Sequence, residues 1–246
     1  MKNWIRKIVE RQKGYLFGPG SVPKGVDLFR DIQRYGYAPW VRTVFDVGAN
    51  AGQFASEVLR NHPQAELFCF EPVRSTFEQL QRNMVSRAGV RLFRNAMGAL
   101  AGGEVAMTSQ AGWVMNRVLV AGKSTPPDTP TENVPMETIG NICARFEVAE
   151  ISLLKTDTEG FDLEVLRGAK DLLAAGKVFL ILVEVGFSSA DEGHTPFRMV
   201  CDFLSDFDII GFYNQGSDAN FSGLDRADVL FIHRGLAGRR IPTRWA

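Results

Sequence analysis

The sequence predicts an α/β fold in which a mainly parallel sheet of seven strands has helices on both faces. Past residue 40, segments of strand-like composition alternate with segments of helical periodicity, and this alternation is typical of parallel sheets. With 246 residues, 45% of them hydrophobic, the chain can bury the core of one such domain. We therefore expect one α/β domain over residues 26–246, with residues 1–25 as a helical appendage.

Seven short segments are rich in β-branched and aromatic residues and end at turn-forming residues, which predicts strands. They are residues 43–47, 66–70, 90–94, 151–155, 178–184, 208–213 and 228–232. Between them, apolar residues recur at the helical period. The predicted helices are residues 53–61, 73–86, 136–146, 162–175 and 196–205. The most apolar strand, 178–184, is far shorter than the roughly 20 residues that cross a membrane, so we expect it to be buried in the protein.

The N-terminal segment MKNWIRKIVERQKGYLF predicts an amphipathic helix, with apolar residues on one side and basic residues around the rest. Such a helix docks on its own domain or on a second subunit, giving a homodimer, or it lies on an anionic membrane surface. We favour docking. The segment lacks the continuous apolar stretch and cleavage site of a signal peptide, and GPGSVPKG at 18–25 ends the helical pattern.

The charge and cysteine content exclude several classes of partner. The 28 basic and 28 acidic residues cancel, so no global field attracts nucleic acid or a membrane. Cys69, Cys143 and Cys201 are far apart and form no Cys-x-x-Cys pair, which argues against disulfides and a zinc knuckle. Together with the N-terminal segment, this predicts a cytoplasmic protein with no nucleic-acid partner and no transmembrane segment.

Polar side chains lie at the ends of five predicted strands, and four of these ends are acidic. The residues are Asp46, Glu71, Asn95, Asp157 with Glu159, and Glu184. In open parallel sheets, ligands bind at the carboxyl ends of the strands. We therefore expect the functional site at this edge.

The turn after the first predicted strand, Gly48-Ala49-Asn50-Ala51-Gly52, predicts close contact with a ligand. Glycines let a ligand approach the backbone, and the helix that follows offers free N–H groups. About 20 residues further on, Glu71 ends the second strand, where an acid usually binds ribose hydroxyls. The two features together predict a nucleoside ligand.

The acid ahead of the glycines indicates which nucleoside ligand the turn binds. The turn reads Asp46-x-Gly48-x-x-x-Gly52 and not the Gly-x-Gly-x-x-Gly of dinucleotide sites. Asp46 would repel a phosphate and suits a cationic ligand. S-adenosylmethionine has a ribose, an α-amino group and a sulfonium but no phosphate, so we expect the turn to hold its amino-acid end.

Several segments resemble the FkbM-type S-adenosylmethionine-dependent methyltransferases, and together they span roughly residues 40–187. They are VFDVGANAGQF at 44–54, FCFEPVRSTFEQLQRN at 68–83, RNAMG at 94–98, LLKTDTEGFDLEVLRGA at 153–169 and LILVEV at 180–185. The resemblance implies a class I, Rossmann-like methyltransferase fold. It also implies O-methylation of a hydroxyl of a sugar, polysaccharide or natural product.

The resemblance further implies cofactor contacts. Asn50 would donate to the cofactor carboxylate, and Asn95 with Ala96 would lie beside the adenine, near Glu71 and Pro72.

The resemblance also has gaps. Thr138-Ile139-Gly140 replaces a Thr-Leu-Asp that is usual in the family, so no role is carried over for that Asp. Residues 101–135 and 188–246 match no motif. We expect acceptor specificity there, because loops on a rigid scaffold vary most freely.

Methyl transfer to a hydroxyl requires close positioning and removal of a proton. Asp157 and Glu159 are two residues apart, and on an extended strand end both carboxylates would face the methyl group. Lys155 either belongs to this catalytic group or pairs with the acids in a structural network. His194 falls in a loop that would cover the acceptor, so it is a candidate general base, although a solvated surface histidine is the simpler interpretation.

Two further candidate sites lie around the acceptor. Glu184 could join Asp157 in binding Mg²⁺, which prefers oxygen ligands, or it could contact a substrate hydroxyl. Trp113, in a glycine-flanked stretch, is a candidate for stacking on a sugar.

Two other classes of function stay open. A nicotinamide-dependent oxidoreductase would share the first two strand ends, although the missing glycine motif and Asp46 count against it. A cofactor-binding partner protein without catalysis would also keep Asp46 and Glu71.

Overall fold

A mainly parallel central sheet, with seven strands in one row and a two-residue eighth strand beside them, confirms the predicted fold class in this computed structural model. The structure describes residues 22–85, 87–110, 115–119, 128–188, 191, 193–217 and 223–237. In chain order, the strands are β1 (Thr43–Val47), β2 (Glu66–Phe70), β3 (Val90–Phe93), β4 (Ala96–Met97), β5 (Glu104–Thr108), β6 (Thr131–Glu137), β7 (Ile151–Thr156), β8 (Val178–Gly186), β9 (Thr195–Pro196), β10 (Phe207–Gly216) and β11 (Arg226–His233).

The helices lie between the strands, as the alternation of patterns predicts. They are α1 (Leu28–Arg34), a 3₁₀ turn (Ala38–Trp40), α2 (Gln53–Asn61), α3 (Arg74–Met84), α4 (Ile139–Arg145), α5 (Asp162–Arg167), α6 (Lys170–Ala174), α7 (Phe197–Phe203) and α8 (Arg234–Ala237). Among the described residues, no helix is long and apolar enough to cross a membrane.

The central sheet has the strand order β10-β11-β8-β7-β1-β2-β3, and the two-residue strand β9 pairs with β8. The pairings among β8, β7, β1, β2 and β3 are parallel, whereas β11 runs antiparallel to both of its neighbours. The carboxyl ends of β1, β2, β7 and β8 therefore lie along one edge. This is the edge at which the acidic residues were expected to meet.

Both faces of the central sheet are buried, because alternate side chains of each strand enter separate cores. On one face, Phe45, Leu154 and Ile181 belong to one hydrophobic cluster. On the other face, their neighbours Val44 and Leu153 belong to a second cluster. Burial on both faces explains the continuous apolar runs of the inner strands.

A second, three-stranded sheet forms where the sequence predicts no regular structure. Its order is β4-β6-β5, and β5 and β6 pair in antiparallel fashion. The prediction of a helix from residue 136 is wrong at its start, since β6 continues to Glu137. Helix α4 begins only after Thr138, whose hydroxyl oxygen accepts the N–H of Asn141 at 3.1 Å.

The predicted helix 162–175 is divided into α5 and α6 by a close backbone contact. A side chain at Gly168 would overlap with the carbonyl group of Gly98. The Gly168 carbonyl in turn accepts the N–H of Gly140 at 3.0 Å. The contact joins the helix layer to the segment that leads into the small sheet.

Helix α1, which the sequence analysis missed, is bound to the main domain by a buried aspartate. Asp31 accepts the N–H of Gly25 at 2.7 Å and the hydroxyl of Tyr213, on β10, at 3.1 Å. The predicted N-terminal helix falls almost entirely in residues 1–21, outside the described residues, and so does its predicted dimer contact. The boundary at residue 25 stays a prediction.

Candidate active site

The turn between β1 and α2 depends on glycine at its first position. Gly48 has a φ of 76°, and a Cβ there would overlap with the backbone carbonyl of Asp157. Only glycine lets the turn pack this closely against the end of β7. Gly48 and Ala49 both donate their N–H groups to the carbonyl of Phe70 at 3.0 Å, which also fixes the turn to the end of β2.

A cavity of about 360 Å³, here called the edge cavity, follows the carboxyl edge of the central sheet. At one side, the Glu71 end, it is lined by residues of β2 and of the segment after β3. At the other side, the His194 end, it is lined by residues that follow β7 and by residues of β8 and of the loop after it. The predicted residues at the Glu71 end are Glu71, Pro72, Asn95 and Ala96, and those at the His194 end are Asp157, Glu159, Glu184 and His194.

A second cavity of about 800 Å³, the turn cavity, lies on the other side of the β1–α2 turn. Its lining includes Gln53, Lys155 and Asp228. Both cavities are lined by Gly48, Asn50 and Asp157, so they meet at the turn. The sequence predicts one site here and not its extension past the turn. Gly52 belongs to the turn but lines neither cavity.

Glu71 is buried, with 7% of its surface exposed, and is held by the backbone of two segments. One carboxylate oxygen accepts the N–H of Asn50 and the other accepts the N–H of Val73, both at 3.0 Å. Burial raises the pKa of Glu71 to about 7, although the two N–H donors oppose the shift. The side chain is therefore fixed in position and titrates near neutral pH.

Lys155 connects the turn to two acids. Its Nζ donates to the carbonyl oxygen of Gly48 at 2.9 Å, and it lies 3.1 Å from Asp157 Oδ2 and 3.4 Å from Asp46 Oδ1. Burial by itself would lower the pKa of Lys155, but Asp157 and Asp46 together raise it above its ordinary value. The ammonium stays charged, so this lysine cannot accept a proton, and the structural-network interpretation fits it.

Asp46 faces Lys155 and not a cavity. It is fully buried, lines neither cavity, and neither carboxylate oxygen accepts a hydrogen bond from the described residues. Burial raises its pKa, against the pull of Lys155. The expectation that Asp46 contacts a cofactor directly finds no support in this position, because the side chain lies beneath the turn.

Asp157 and Glu159 both line the edge cavity, but not for the reason expected. Strand β7 ends at Thr156, and Glu159 and Gly160 have left-handed backbone, with φ of 54° and 86°. The two carboxylates thus reach one cavity through a tight turn and not along an extended strand. Left-handed backbone at a residue other than glycine is uncommon and concentrates at functional sites.

His194 lines the cavity with most of its side chain buried, so the interpretation as a solvated surface histidine is wrong. Its side chain is 9% exposed, and its Nδ1 lies 2.7 Å from Asp191 Oδ2. Asp191 also accepts the N–H of Gly193 at 2.8 Å. The Nε2 atom lies 3.7 Å from Glu184 Oε1. The sequence analysis missed Asp191, although its spacing of three residues from His194 was a usable signal.

Glu159, Glu184 and His194 form a cluster, here called the acceptor cluster, whose donor atoms all lie within 4.8 Å of one another. Burial, reinforced by Asp157, raises the pKa of Glu159 to about 7 and raises that of Glu184 further. Burial also acts on Asp157, but Lys155 outweighs it and lowers the pKa of that carboxyl. Asp157 is therefore the ionised acid of the group.

A second missed residue, Asp162, joins the two segments that carry Glu159 and His194. It is fully buried at the start of α5. Its Oδ1 accepts the N–H of Thr158 and its Oδ2 accepts the hydroxyl of Thr195, both at 3.1 Å. Thr158 precedes Glu159 and Thr195 follows His194, so one carboxylate fixes the backbone beside both.

Met107, on β5 of the small sheet, lines the edge cavity together with Met115, Asn116 and Val118 from the segment after β5. The segment that matched no motif therefore lies against the site. Trp113, the candidate for sugar stacking, lies outside the described residues.

Comparison with known proteins identifies a family. The model described as "Methyltransferase FkbM domain" matches residues 46–210. The chain is 25% identical over 189 residues to 2-O-methyltransferase NoeI of Sinorhizobium fredii, covering 72% of this chain and 76% of the relative. It is 29% identical over 160 residues to Methyltransferase 1 of Beauveria bassiana, covering 56% of this chain and 63% of the relative.

Solved structures similar to this chain are more distant. Aeropyrum pernix fibrillarin, solved with natively bound S-adenosyl-L-methionine, is 14% identical with a TM-score of 0.45, covering 78% of this chain and 66% of that one. A putative rRNA-methylase from Clostridium thermocellum is 8% identical with a TM-score of 0.44, and the match covers 82% of this chain and 95% of that one.

Proposed function

The chain belongs to the FkbM methyltransferase family, and from that premise we propose that it transfers the methyl group of S-adenosylmethionine to a hydroxyl of a sugar, polysaccharide or natural product. Methyltransferase activity follows from the family, so the proposal concerns the donor, the acceptor and the residues. The observation that carries it is the edge cavity, which has a buried carboxylate at its Glu71 end and an imidazole among carboxylates at its His194 end.

The Glu71 end suits the adenosine part of the cofactor. Glu71 has two carboxylate oxygens at the cavity, which can accept the ribose hydroxyls. Pro72, Asn95 and Ala96 line the space beside it, where we place the adenine. The Gly48 turn supports this assignment, because it brings backbone close to the cavity where a Cβ could not fit.

The methionine part would lie over the turn, toward the turn cavity. There Gly48, Asn50 and the ionised Asp157 are within reach of its polar groups. Asp157 balances positive charge on the ligand, and Lys155 holds Asp157 and the turn in place. Asp46 acts from beneath by fixing Lys155, and Gly52 provides the left-handed residue that begins α2.

The acceptor hydroxyl would lie at the His194 end. S-adenosylmethionine, when bound, supplies an electrophilic methyl group on sulfur. Around it, the chain has to orient the hydroxyl oxygen about 3 Å from that carbon and provide a path for the hydroxyl proton. Glu159, Glu184 and His194 converge at this position, next to Asp157. The name of one relative, 2-O-methyltransferase NoeI, supports oxygen as the accepting atom.

The test is methyl transfer by the purified chain from isotopically labelled S-adenosylmethionine to a panel of hydroxylated sugars and polyketides. We expect labelled product from at least one acceptor, and at least ~10-fold less with Glu71→Gln at subsaturating donor, since a hydrogen bond to a charged group is lost. Asp171→Asn, an exposed acid on α6, is the control. Label found only on nitrogen or carbon atoms of acceptors would contradict the proposal.

A further inference from the structure

We infer that the acceptor cluster, Glu159, Glu184 and His194, binds one divalent transition-metal ion of the Mn²⁺ or Zn²⁺ type, which holds the acceptor through its hydroxyl. The inference rests on the proposed function for its chemistry, but not for its geometry.

The spacing of the donor atoms suits one ion. One nitrogen and two carboxylate oxygens lie within 4.8 Å of one another. Ligand atoms at about 2.1 Å from a common ion are about 3 to 4 Å apart, so small side-chain rotations close the site. The three residues come from three different segments, which would give the ion a pocket with one open side toward the edge cavity.

His194 provides a second observation, an imidazole nitrogen that is held toward the cluster. Its side chain is nine-tenths buried, and Asp191 occupies Nδ1 at 2.7 Å. That contact leaves Nε2 facing the cluster, 3.7 Å from Glu184 Oε1, which is beyond hydrogen-bond distance. A carboxylate on one imidazole nitrogen and a free second nitrogen aimed at acids is the arrangement that orients metal-binding histidines.

Glu184 adds an unsatisfied atom. Its Oε2 is buried and accepts no hydrogen bond from the described part of the chain, and a buried acceptor without a partner is costly. Lys155 cannot supply the missing charge, because it is already bound to Gly48, Asp46 and Asp157. A cation among these carboxylates would remove both the unsatisfied atom and the repulsion between acids.

The donor set also decides between ions. Mg²⁺ prefers oxygen ligands, whereas an imidazole nitrogen with carboxylates suits Mn²⁺, Zn²⁺ and their neighbours. Asp157, expected from the sequence as a metal ligand beside Glu184, is held by Lys155 at 3.1 Å. The site therefore uses Glu159 and His194 in place of Asp157.

The ion would perform the proton chemistry of the reaction. A hydroxyl coordinated to a divalent ion has a strongly lowered pKa, so its proton passes to solvent. The oxygen then forms the new bond to the methyl carbon as the carbon–sulfur bond breaks, and the bonding electron pair stays on sulfur. An acceptor with two adjacent hydroxyls, as in a sugar, can bind the open side of the ion through both oxygens.

The test uses the full chain, stripped with a chelator and titrated with MnCl₂ without cofactor, with free Mn²⁺ followed by electron paramagnetic resonance. We expect one ion per chain, with affinity at least ~10-fold weaker in Glu184→Gln and His194→Ala, and ~10- to 100-fold weaker in Asp191→Asn. Glu71→Gln, which changes a carboxylate at the other end of the same cavity, is the matched control and should bind normally.

A second measurement does not depend on the folding of variants. In the parent protein, electron spin echo spectra of bound Mn²⁺ should show coupling to an imidazole nitrogen. Absence of that coupling, no binding by the parent, or equal binding by parent and His194→Ala would each overturn the metal site.

The same preparation separates this inference from the proposed function. If S-adenosylhomocysteine binds and methyl transfer continues undiminished in the chelator-treated protein, the role of the ion in the reaction fails and the methyltransferase proposal stands. If Mn²⁺ binds as expected but no hydroxyl acceptor is methylated, the metal site stands and the proposed reaction fails.

Discussion

At the residue scale, the site is arranged around one buried cation. Lys155 neutralises Asp46 and Asp157 and also donates to the Gly48 carbonyl. Because a buried ion pair loses most when one partner is removed, this lysine matters more for the integrity of the site than for proton transfer.

Replacement of Lys155 by Met should therefore destabilise the protein by about 3 to 5 kcal/mol, since it leaves the fully buried Asp46 without its partner. The free energy of unfolding in urea measures this. Lys170→Met, at an exposed position of α6, should change it little. Addition of Asp46→Asn to the Lys155 variant should restore part of the loss. A loss below about 1 kcal/mol would show that the ion pair is not structural.

The pKa of Glu71 predicts how cofactor binding depends on pH. Burial raises this pKa to about 7, opposed by the N–H groups of Val73 and Asn50 and by Lys155, while Asp46 adds to the rise. In the proposed complex, the ionised carboxylate would accept both ribose hydroxyls. Affinity for S-adenosylhomocysteine should therefore weaken by up to about tenfold per pH unit below 7 and level off above it. Calorimetry at a series of pH values measures this.

The Glu71→Gln variant is the control for that pH dependence. It should bind S-adenosylhomocysteine more weakly than the parent at high pH, and its affinity should not change over the same pH range. An unchanged slope in this variant would assign the titration to a different group.

The positions of these acids show how far the sequence could predict the site. Strand ends and the resemblance correctly placed Glu71, Asp157, Glu159 and Glu184 at the cavity. They could not predict how deeply each side chain is buried. Whether a side chain at a strand end points outward or lies under the turn depends on the neighbouring strand. Asp46 therefore differs from expectation. Asp191 and Asp162 were missed because their partners are defined by the folded loops.

At the scale of elements, the β1–α2 turn and the end of β7 form one unit. Gly48 and Gly102 both have positive φ, of 76° and 85°, but only Gly48 has atoms in the way of a Cβ. Substitutions at these two glycines therefore separate the free-energy cost of left-handed backbone from the cost of steric overlap.

Gly102→Ala should cost about 1 kcal/mol of unfolding free energy, as expected for a strained backbone in open space. Gly48→Ala should cost several kcal/mol and abolish binding of S-adenosylhomocysteine, because the turn must move away from Asp157. Chemical denaturation and calorimetry of both variants test this. Equal costs and equal binding would mean that the turn is not packed as described.

Asp162 links two elements, since it holds the loop after β7 and the strand β9. Asp162→Asn replaces one acceptor oxygen by an N–H donor and should loosen the backbone beside Glu159 and His194. We expect kcat to fall at least ~10-fold with little change in S-adenosylhomocysteine affinity, whereas Asp171→Asn should leave both unchanged. Loss of cofactor affinity together with kcat would indicate general unfolding instead.

The elements were predicted unevenly, and for physical reasons. The inner strands of the central sheet, β1, β2, β7, β8 and β11, are mostly buried apolar runs with strong local signals. The strands β4, β5 and β6 were missed because they pair mainly with one another, in a segment rich in glycine and proline. The division of the helix 162–175 depends on the distant Gly98 carbonyl, which no local pattern contains.

At the scale of the whole molecule, the strand order explains why the site lies where it does. The order β10-β11-β8-β7-β1-β2-β3 brings the ends of β8, β7, β1 and β2 side by side. Residues far apart in sequence thus share one edge, with Glu71 on one side and His194 on the other. The alternation of elements predicted a parallel sheet, but strand order depends on long-range pairing that is not visible in local patterns.

The central claim is that S-adenosylmethionine binds along this edge, with its nucleoside at Glu71 and its reactive sulfur toward the acceptor cluster. A crystal structure with S-adenosylhomocysteine tests it most directly. The account predicts ribose hydroxyls within hydrogen-bond distance of Glu71, adenine beside Asn95 and Ala96, and sulfur next to Asp157 facing Glu159, Glu184 and His194. A ligand whose ribose lies away from Glu71, or whose sulfur faces away from His194, would contradict it.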